Sequence, residues 1–417
     1  MQAPFIFRKA VKLDDLSNVE KKKYFQKRSI LEYLYNNGTV AISDICKWTN
    51  LSIPSVTRLI FELINEGYLK EEGIGDSVGG RRPNLYGIHP ESGYILGVEI
   101  GRYISRMKIV NILNEKVTGL VEYRYKLQNN INDIDTIYEK AQDLISSSGI
   151  DADKLISTGM SIPGLINSKT GKSYDYFNFD KKPIALVFEE KFGKPVYIEN
   201  DSRIMALGEL FFGLAKGKKN VLCLNVGYSL GLGMIFNGRT YQGKSGFAGE
   251  LGHIQTVHDG MLCYCGKKGC LETVASGAAV ERMAKEGIEN GTVSLISDIV
   301  NNTTEDINIE VVIDAANKED QFAIEVISEA GNHLGRGVAI LIHLYNPEMI
   351  IMGGRLAKAD QYLTIPLQQV LNKDTISNIR NDTEIVTSNL GKKAGVMGAI
   401  ALVIKNIFDS ELNTEIF

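Results

Sequence analysis

Over the first ninety positions, apolar residues recur at helical spacing in short runs, each closed by a turn former. Ile30, Leu31, Leu34 and Tyr35 share one face of a helix that stops at Gly38. Ser43 is an expected N-cap for a short helix carrying Ile45, Cys46 and Trp48, and Asn50-Leu51-Ser52 reads as a tight turn. Pro54 suits the first turn of a further helix, where its missing N–H costs nothing. That helix places Val56, Leu59, Ile60 and Leu63 on one side and ends by Gly67. The segments GYLKEEG and RRPNLYGIHP then supply extended pieces. The order predicts a winged helix-turn-helix over residues 21–90, behind an N-terminal extension at 1–20.

From residue 91 the pattern changes. GYILGVEIGRYISRMKIVNI predicts two strands joined by a glycine turn, and NVLCLNVGYSLGLGMIFNGRTY predicts another hairpin. KLISTGMSIPGLIN and KPVYIENDSRIMALGEL each read as a strand followed by a loop or helix. Strands alternating with helices imply an α/β body over 91–417. Its two hairpin-led units predict two similar lobes across a cleft. Lobe 1 is expected at about 91–200 plus a C-terminal helix, and lobe 2 at about 201–400.

Composition changes the picture little: 44% hydrophobic and 23% charged residues are ordinary for a folded protein. No apolar run approaches membrane-spanning length, and the N-terminus lacks a signal-peptide core, so a cytoplasmic protein is expected. Charge is more informative. Residues 1–89 hold 13 Lys and Arg against 10 Asp and Glu, a net of +3, so the remainder carries −7 of the chain's −4 total. A basic head on an acidic body fits nucleic-acid binding. Ser52, Ser55, Thr57 and Arg58, near the start of the last helix, are candidate contacts to operator DNA in its major groove. Arg81 and Arg82, in GGRRP directly after the wing, are candidates for a narrow A·T minor groove.

The strongest chemical signal is GELGHIQTVHDGMLCYCGKKGCLE at 249–272, which holds three of the chain's five cysteines. In a reducing compartment clustered cysteines bind metal more readily than they form disulfides. His253, Cys263, Cys265 and Cys270 offer one nitrogen and three sulfurs, the closed tetrahedral set of structural zinc. Gly266 and Gly269 permit the tight loop that such short spacings require. A closed site leaves no place for an activated water. Pinning His253 and Cys270 to one ion draws Glu250 and Glu272 together, and paired carboxylates suit the paired hydroxyls of a sugar.

The body resembles the ROK family, on the motifs GVEIG (97–101), SIPGLIN (161–167), YIENDSRIMALGE (197–209), GLGMIFNGRTYQGKSGFAGELGH (231–253), CYCGKKGCLE (263–272) and NPEMIIMGG (346–354). With the winged helix in front, the whole chain resembles the ROK transcriptional regulators. The resemblance implies a two-lobed actin-like, ribonuclease-H-like ATPase fold, and zinc at the four His and Cys positions. It implies sugar binding at Asn200, Asp201, Glu250, His253 and Glu272, with Asn178 in YFNF a further candidate. Asp201 matches the catalytic base of ROK kinases, and a binding role needs the same residue only as an acceptor. The phosphate-binding turns depart from the kinase pattern. Glu99-Ile100-Gly101-Arg102-Tyr103 stands where kinases have Asp-x-Gly-Gly-Thr, and Gly227-Tyr228-Ser229-Leu230-Gly231 where they have Gly-Thr-Gly-x-Gly. The expectation is a homo-oligomeric, sugar-responsive repressor with no catalytic residue and no bound ATP, Asp201 being a vestigial base. An active sugar kinase with an attached DNA-binding head is the alternative, and a pure protein-interaction module would leave the sugar residues unexplained.

Overall fold

The computed structural model describes residues 16–76, 82–179 and 182–408. The chain divides into two compact units, Met1–Glu199 with Ala399–Phe417, and Asn200–Gly398.

The first described element of the first unit is α1 (Asn18–Asn37). Ser17 and Glu20 close a reciprocal capping box at its N-terminus, and Gly38, at φ +72°, ends it. A short strand, β1 (Val40–Ala41), runs straight into α2 (Ile42–Thr49). Ser43 is therefore inside that helix rather than its cap, because the strand delivers the chain into helical geometry one residue before it. Asn50, in the left-handed region at φ +53°, makes the turn to α3 (Ile53–Asn65). All four apolar residues expected inside α3 are buried there: Val56, Leu59, Ile60 and Leu63. The buried ammonium of Lys27 on α1 reaches Glu62 at 3.0 Å and Glu66 at 2.6 Å, tying α1 to the far end of α3. The strands β2 (Leu69–Ile74) and β3 (Asn84–Ile88) form the wing in a sheet of order β1-β3-β2.

Next come β4 (Tyr94–Glu99), β5 (Ile104–Asn111), β6 (Val121–Arg124), α4 (Asn132–Ser147), β7 (Leu155–Ile162), the short pair β8 (Ile166–Asn167) and β9 (Lys172–Ser173), α5 (Ile184–Phe192) and β10 (Val196–Asn200). The main sheet has order β10-β7-β4-β5-β6. Its core joins Leu96, Val98, Ile109, Met160 and Ile162 to Ile137 and Phe188 of the covering helices.

The second unit opens with α6 (Asp201–Phe212), then β11 (Val221–Val226), β12 (Leu230–Phe236), β13 (Arg239–Tyr241), α7 (Glu272–Ala275) and α8 (Gly277–Glu289). It continues through α9 (Leu295–Ile299), α10 (Ile309–Ala316), α11 (Gln321–Tyr345), β14 (Met349–Gly353), α12 (Gln361–Asp374), α13 (Ser377–Asn381), β15 (Glu384–Thr387) and α14 (Ala394–Phe408), which runs on into the first unit's segment. The sheet order, β13-β12-β11-β14-β15, repeats that of the first unit: a three-strand meander extended at one edge by two crossover strands. Gly231 and Gly233 of β12 let α6 lie close, since a Cβ at either position would collide with Ser202 of α6. Among the described residues no helix is long and apolar enough to cross a membrane.

Candidate functional site

His253, Cys263, Cys265 and Cys270 come together. Their donor atoms lie within 4.8 Å of one another. His253 Nδ1 is 3.7 Å from Cys263 Sγ, and Cys265 Sγ is 3.6 Å from Cys270 Sγ. A tetrahedral zinc with Zn–S bonds of ~2.3 Å has edges of about 3.8 Å between its donors, so the spacing fits the metal. The loop that achieves this is held by its backbone. Cys263 N–H donates to Lys267 at 2.7 Å and Gly266 N–H to Cys263 at 2.9 Å. Gly266 (φ +85°) and Gly269 (φ +75°) are both left-handed, and a Cβ on Gly269 would meet the Val257 carbonyl. With Nδ1 toward the cysteines, Nε2 of His253 faces away from them, 4.0 Å from Glu250 and 3.1 Å from the Tyr264 hydroxyl.

Five of the six expected sugar positions lie in the same unit as this loop. Asn200 caps α6, its side chain accepting from Ser202 N and Arg203 N. Asp201 Oδ1 accepts from Ser202 N at 2.8 Å, Asn200 Nδ2 at 3.0 Å and Ser202 Oγ at 3.2 Å, and Oδ2 accepts from Asn225 Nδ2 at 3.3 Å. Asp201 keeps some exposed surface, yet its carboxyl is enclosed by protein, and that burial raises it above the ordinary carboxylate range despite these donors and the charge of Arg203. Glu272 is buried and accepts from Leu230 N at 3.0 Å. Burial first, and then the charge of Asp201, raise it too. Glu250 is exposed, and Gly252 nearby lies close to the Leu230 carbonyl, which an added Cβ would meet at 2.4 Å. Asn178 is in the first unit, exposed, with its amide donating to the Tyr174 carbonyl at 3.3 Å.

The two altered turns are internally occupied. Glu99 faces Arg106 across β4 and β5, and Arg106 faces Glu122 across β5 and β6. The buried guanidinium of Arg106 bonds both carboxylates, at 3.1 and 3.0 Å. Arg102 stacks against Tyr103, 5.7 Å from the ring centre. In the second turn the Gly227 amide donates to the Ser229 carbonyl at 3.0 Å, while the carbonyls of Gly227 and Tyr228 accept from Gly277 and Ala278.

On the head, Ser52, Ser55, Thr57 and Arg58 lie at the start of α3 as expected. The hydroxyls are already engaged: Ser52 Oγ and Ser55 Oγ are 2.9 Å apart, and Thr57 Oγ1 donates to the Ile53 carbonyl at 2.8 Å. Arg58 is exposed, as is Arg82 at the start of the second wing strand. Arg81 lies outside the described residues.

A model of the ROK family matches residues 95–406 of this sequence. The chain belongs to the ROK family. A model described as winged helix-turn-helix DNA-binding matches residues 26–70 of this ROK protein. It is 30% identical to the xylose repressor of Caldicellulosiruptor bescii over 92% of its own length and 96% of the relative's. Among solved structures it is similar to a ROK family transcriptional regulator that is a homolog of the E. coli MLC protein, with a TM-score of 0.77, 26% identity, and 95% and 99% of the two chains covered. It is also similar to a ROK family glucokinase from Streptomyces griseus, solved with glucose and AMPPNP, at a TM-score of 0.65 and 27% identity, over 74% of this chain and 98% of the kinase. The regulator match spans head and body, and the kinase match three quarters of the chain.

Sequence reasoning missed three participants in the ROK protein's site. Asn225 holds Asp201 from the middle of the apolar strand β11, where one polar residue among Val221, Leu222, Cys223, Leu224 and Val226 was a usable signal. The Leu230 amide on Glu272 leaves no mark in a sequence. Tyr264, between two cysteines, was legible only as a spacer, and it places its hydroxyl on His253.

Proposed function

We propose that this ROK protein is a DNA-binding repressor of carbohydrate-utilisation genes in the cytoplasm, released from its operator by a monosaccharide or its phosphate. One observation carries the reading: a winged helix-turn-helix head and an ordered carboxylate set occur in one chain with phosphate turns that depart from the kinase pattern. His253, Cys263, Cys265 and Cys270 would hold one zinc, which when bound acts as a cross-link and presents Nε2 of His253 to the sugar. Asp201, Asn200, Glu250 and Glu272 accept from or donate to sugar hydroxyls. The relatives' names support the assignment, and the head-to-tail match to a regulator favours it over a kinase. A homodimer places two α3 helices on two half-sites, and linkage requires that a sugar preferring one arrangement of the dimer weaken or strengthen DNA binding by its differential affinity. Operator binding titrated with a panel of monosaccharides is the direct test. No sugar-dependent shift with any of them would end the reading.

The same geometry predicts the absence of kinase activity. Glu99 is committed to Arg106, Arg102 replaces a glycine that would let backbone approach phosphate, and Tyr228 stands where a threonine would donate. Purified protein with ATP and sugar should show no turnover in a coupled assay, where sugar kinases run at about 1–100 per second. Turnover in that range would return the protein to the kinases.

On the DNA side, Arg58 is the exposed hydrogen-bonding group at the start of α3. Arg58→Ala should cost about 1–3 kcal/mol of operator affinity and relax specificity at one base pair per half-site. A uniform loss across all sequences would make Arg58 a phosphate contact instead.

A further inference from the structure

The face of α3 that turns away from the core is more apolar than a DNA-reading helix made of serines, threonine and arginine would be. Ile53 is 63% exposed and Phe61 50% exposed, two of the larger apolar side chains left open on the head. At 100° per residue, Ile53, Thr57 and Phe61 step along one flank of the helix, beside the buried Val56, Leu59, Ile60 and Leu63. Thr57 belongs to that line chemically as well. Its hydroxyl hydrogen goes to the Ile53 carbonyl, so that oxygen can only accept from a base, and the methyl beside it can make an apolar contact. Ser52 and Ser55 are likewise turned toward each other. Arg58 is exposed beside the stripe.

We propose that this stripe reads the 5-methyl groups of thymines in the major groove, with Ile53 the principal reader and the Thr57 methyl beside it. The proposal rests on the DNA-reading function assigned above and deepens it. The first residues of a recognition helix are the ones that reach base edges, and Ile53 is the first residue of α3. The thymine methyl is the one apolar group in the base-pair code of that groove, and an aliphatic side chain is its complement. Arg58, exposed one residue after Thr57, suits an anionic partner and opposes a purely apolar one. Specificity then divides into two parts: a hydrogen-bonded guanine or phosphate contact from Arg58, and a methyl contact from Ile53 and Thr57.

The experiment uses the full-length protein without sugar. Duplexes are selected by binding from a random pool, and the best is resynthesised with deoxyuridine replacing thymidine one position at a time, which removes only the methyl. At one or two positions per half-site, wild-type affinity should fall about threefold to fivefold, the effect of one methyl's burial. Ile53→Ala should lose a similar factor on the thymine duplex and become indifferent to uracil at that position. Ile53→Val, which keeps a branched side chain, should keep most of the discrimination. Indifference of the wild type to uracil at every position overturns the proposal, and so does an unchanged uracil penalty in Ile53→Ala. If Ile53→Ala binds DNA normally but changes the oligomeric state in sedimentation, the stripe is a protein–protein face and the proposal falls. Failure to enrich any duplex would instead sink the DNA-binding reading itself, a distinguishable result.

Discussion

Cys265→Ser is expected to lose its metal and its sugar in the same step. Cys265 is the exposed member of the four, so replacing sulfur by oxygen opens no cavity in a core. It does remove one of four donors and puts a hard hydroxyl where a soft thiolate is needed. A tetrahedral structural zinc contributes folding free energy directly, on the order of 10 kcal/mol or more in small zinc domains, and here it would add to the backbone bonds that shape the loop from Ile254 to Cys270. Cys263 and Cys270 are buried, but the segment between them carries exposed Tyr264, Cys265, Gly266, Lys267 and Lys268. The two carboxylates ride on this loop's ends, Glu250 three residues before His253 and Glu272 two residues after Cys270. Glu272 has an anchor of its own in the Leu230 amide, whereas Glu250 lies 4.0 Å from the ring of the candidate ligand His253. Elemental analysis should therefore fall from about one zinc per chain to near none, given the single tetrahedral set. Sugar-dependent thermal stabilisation should need at least tenfold more sugar, since loss of a charge-assisted contact costs about 1.5–3 kcal/mol. Metal-free protein that still responds to sugar at the wild-type concentration would show that the zinc does not organise the site.

How much of this could be read from residues alone follows the physics of each feature. Core periodicity is local, and the buried face of α3 was visible as four spaced apolar residues. The clustering of His253, Cys263, Cys265 and Cys270 was visible because ligand chemistry and short spacing constrain each other, and the two left-handed glycines lie where the loop has to turn. Features that depend on register were not visible. Arg106 sits opposite Glu99 on one strand and opposite Glu122 on the other, and nothing in the sequence fixes which residues a hairpin pairs. The altered first turn could be seen as damaged, but not as closed by an internal ion pair. Hydroxyl direction was also hidden. Ser55 and Thr57 were expected to face DNA with their oxygens, and those oxygens bond within the helix's own first turns, as small hydroxyls do when the backbone is near. Ser43 failed as a cap for a related reason: cap preference is a local tendency, and the strand entering at Val40 overrode it.

Asp201→Asn should make the protein more stable to heat at neutral pH while it weakens the sugar response. The carboxyl of Asp201 is raised in the folded protein because burial disfavours its charge more than Ser202, Asn200, Asn225 and Arg203 favour it. The sign follows from proton linkage. A group with a raised folded-state pKa adds to stability below its unfolded value and loses that contribution as pH rises through the folded value. Towards neutral pH the carboxyl of Asp201 therefore opposes folding, and a neutral amide of the same shape relieves it. Asn can keep its oxygen where Oδ1 accepts the Ser202 amide at 2.8 Å, and Asn225 can turn its own amide to meet the new NH2. The melting temperatures of variant and wild type should coincide in acid near the ordinary aspartate value of 3.8 and separate as pH approaches neutrality, the variant above. The same substitution removes the acceptor on which a sugar hydroxyl depends. With about 1.5–3 kcal/mol lost per charge-assisted bond, the sugar concentration needed to release operator should rise tenfold or more. The pairing of the two results is the informative part, because an ordinary structural residue gives a loss in both. A variant less stable than wild type at neutral pH would mean that the donors around Asp201 outweigh its burial, and that the carboxylate is there to hold α6 rather than to wait for a sugar.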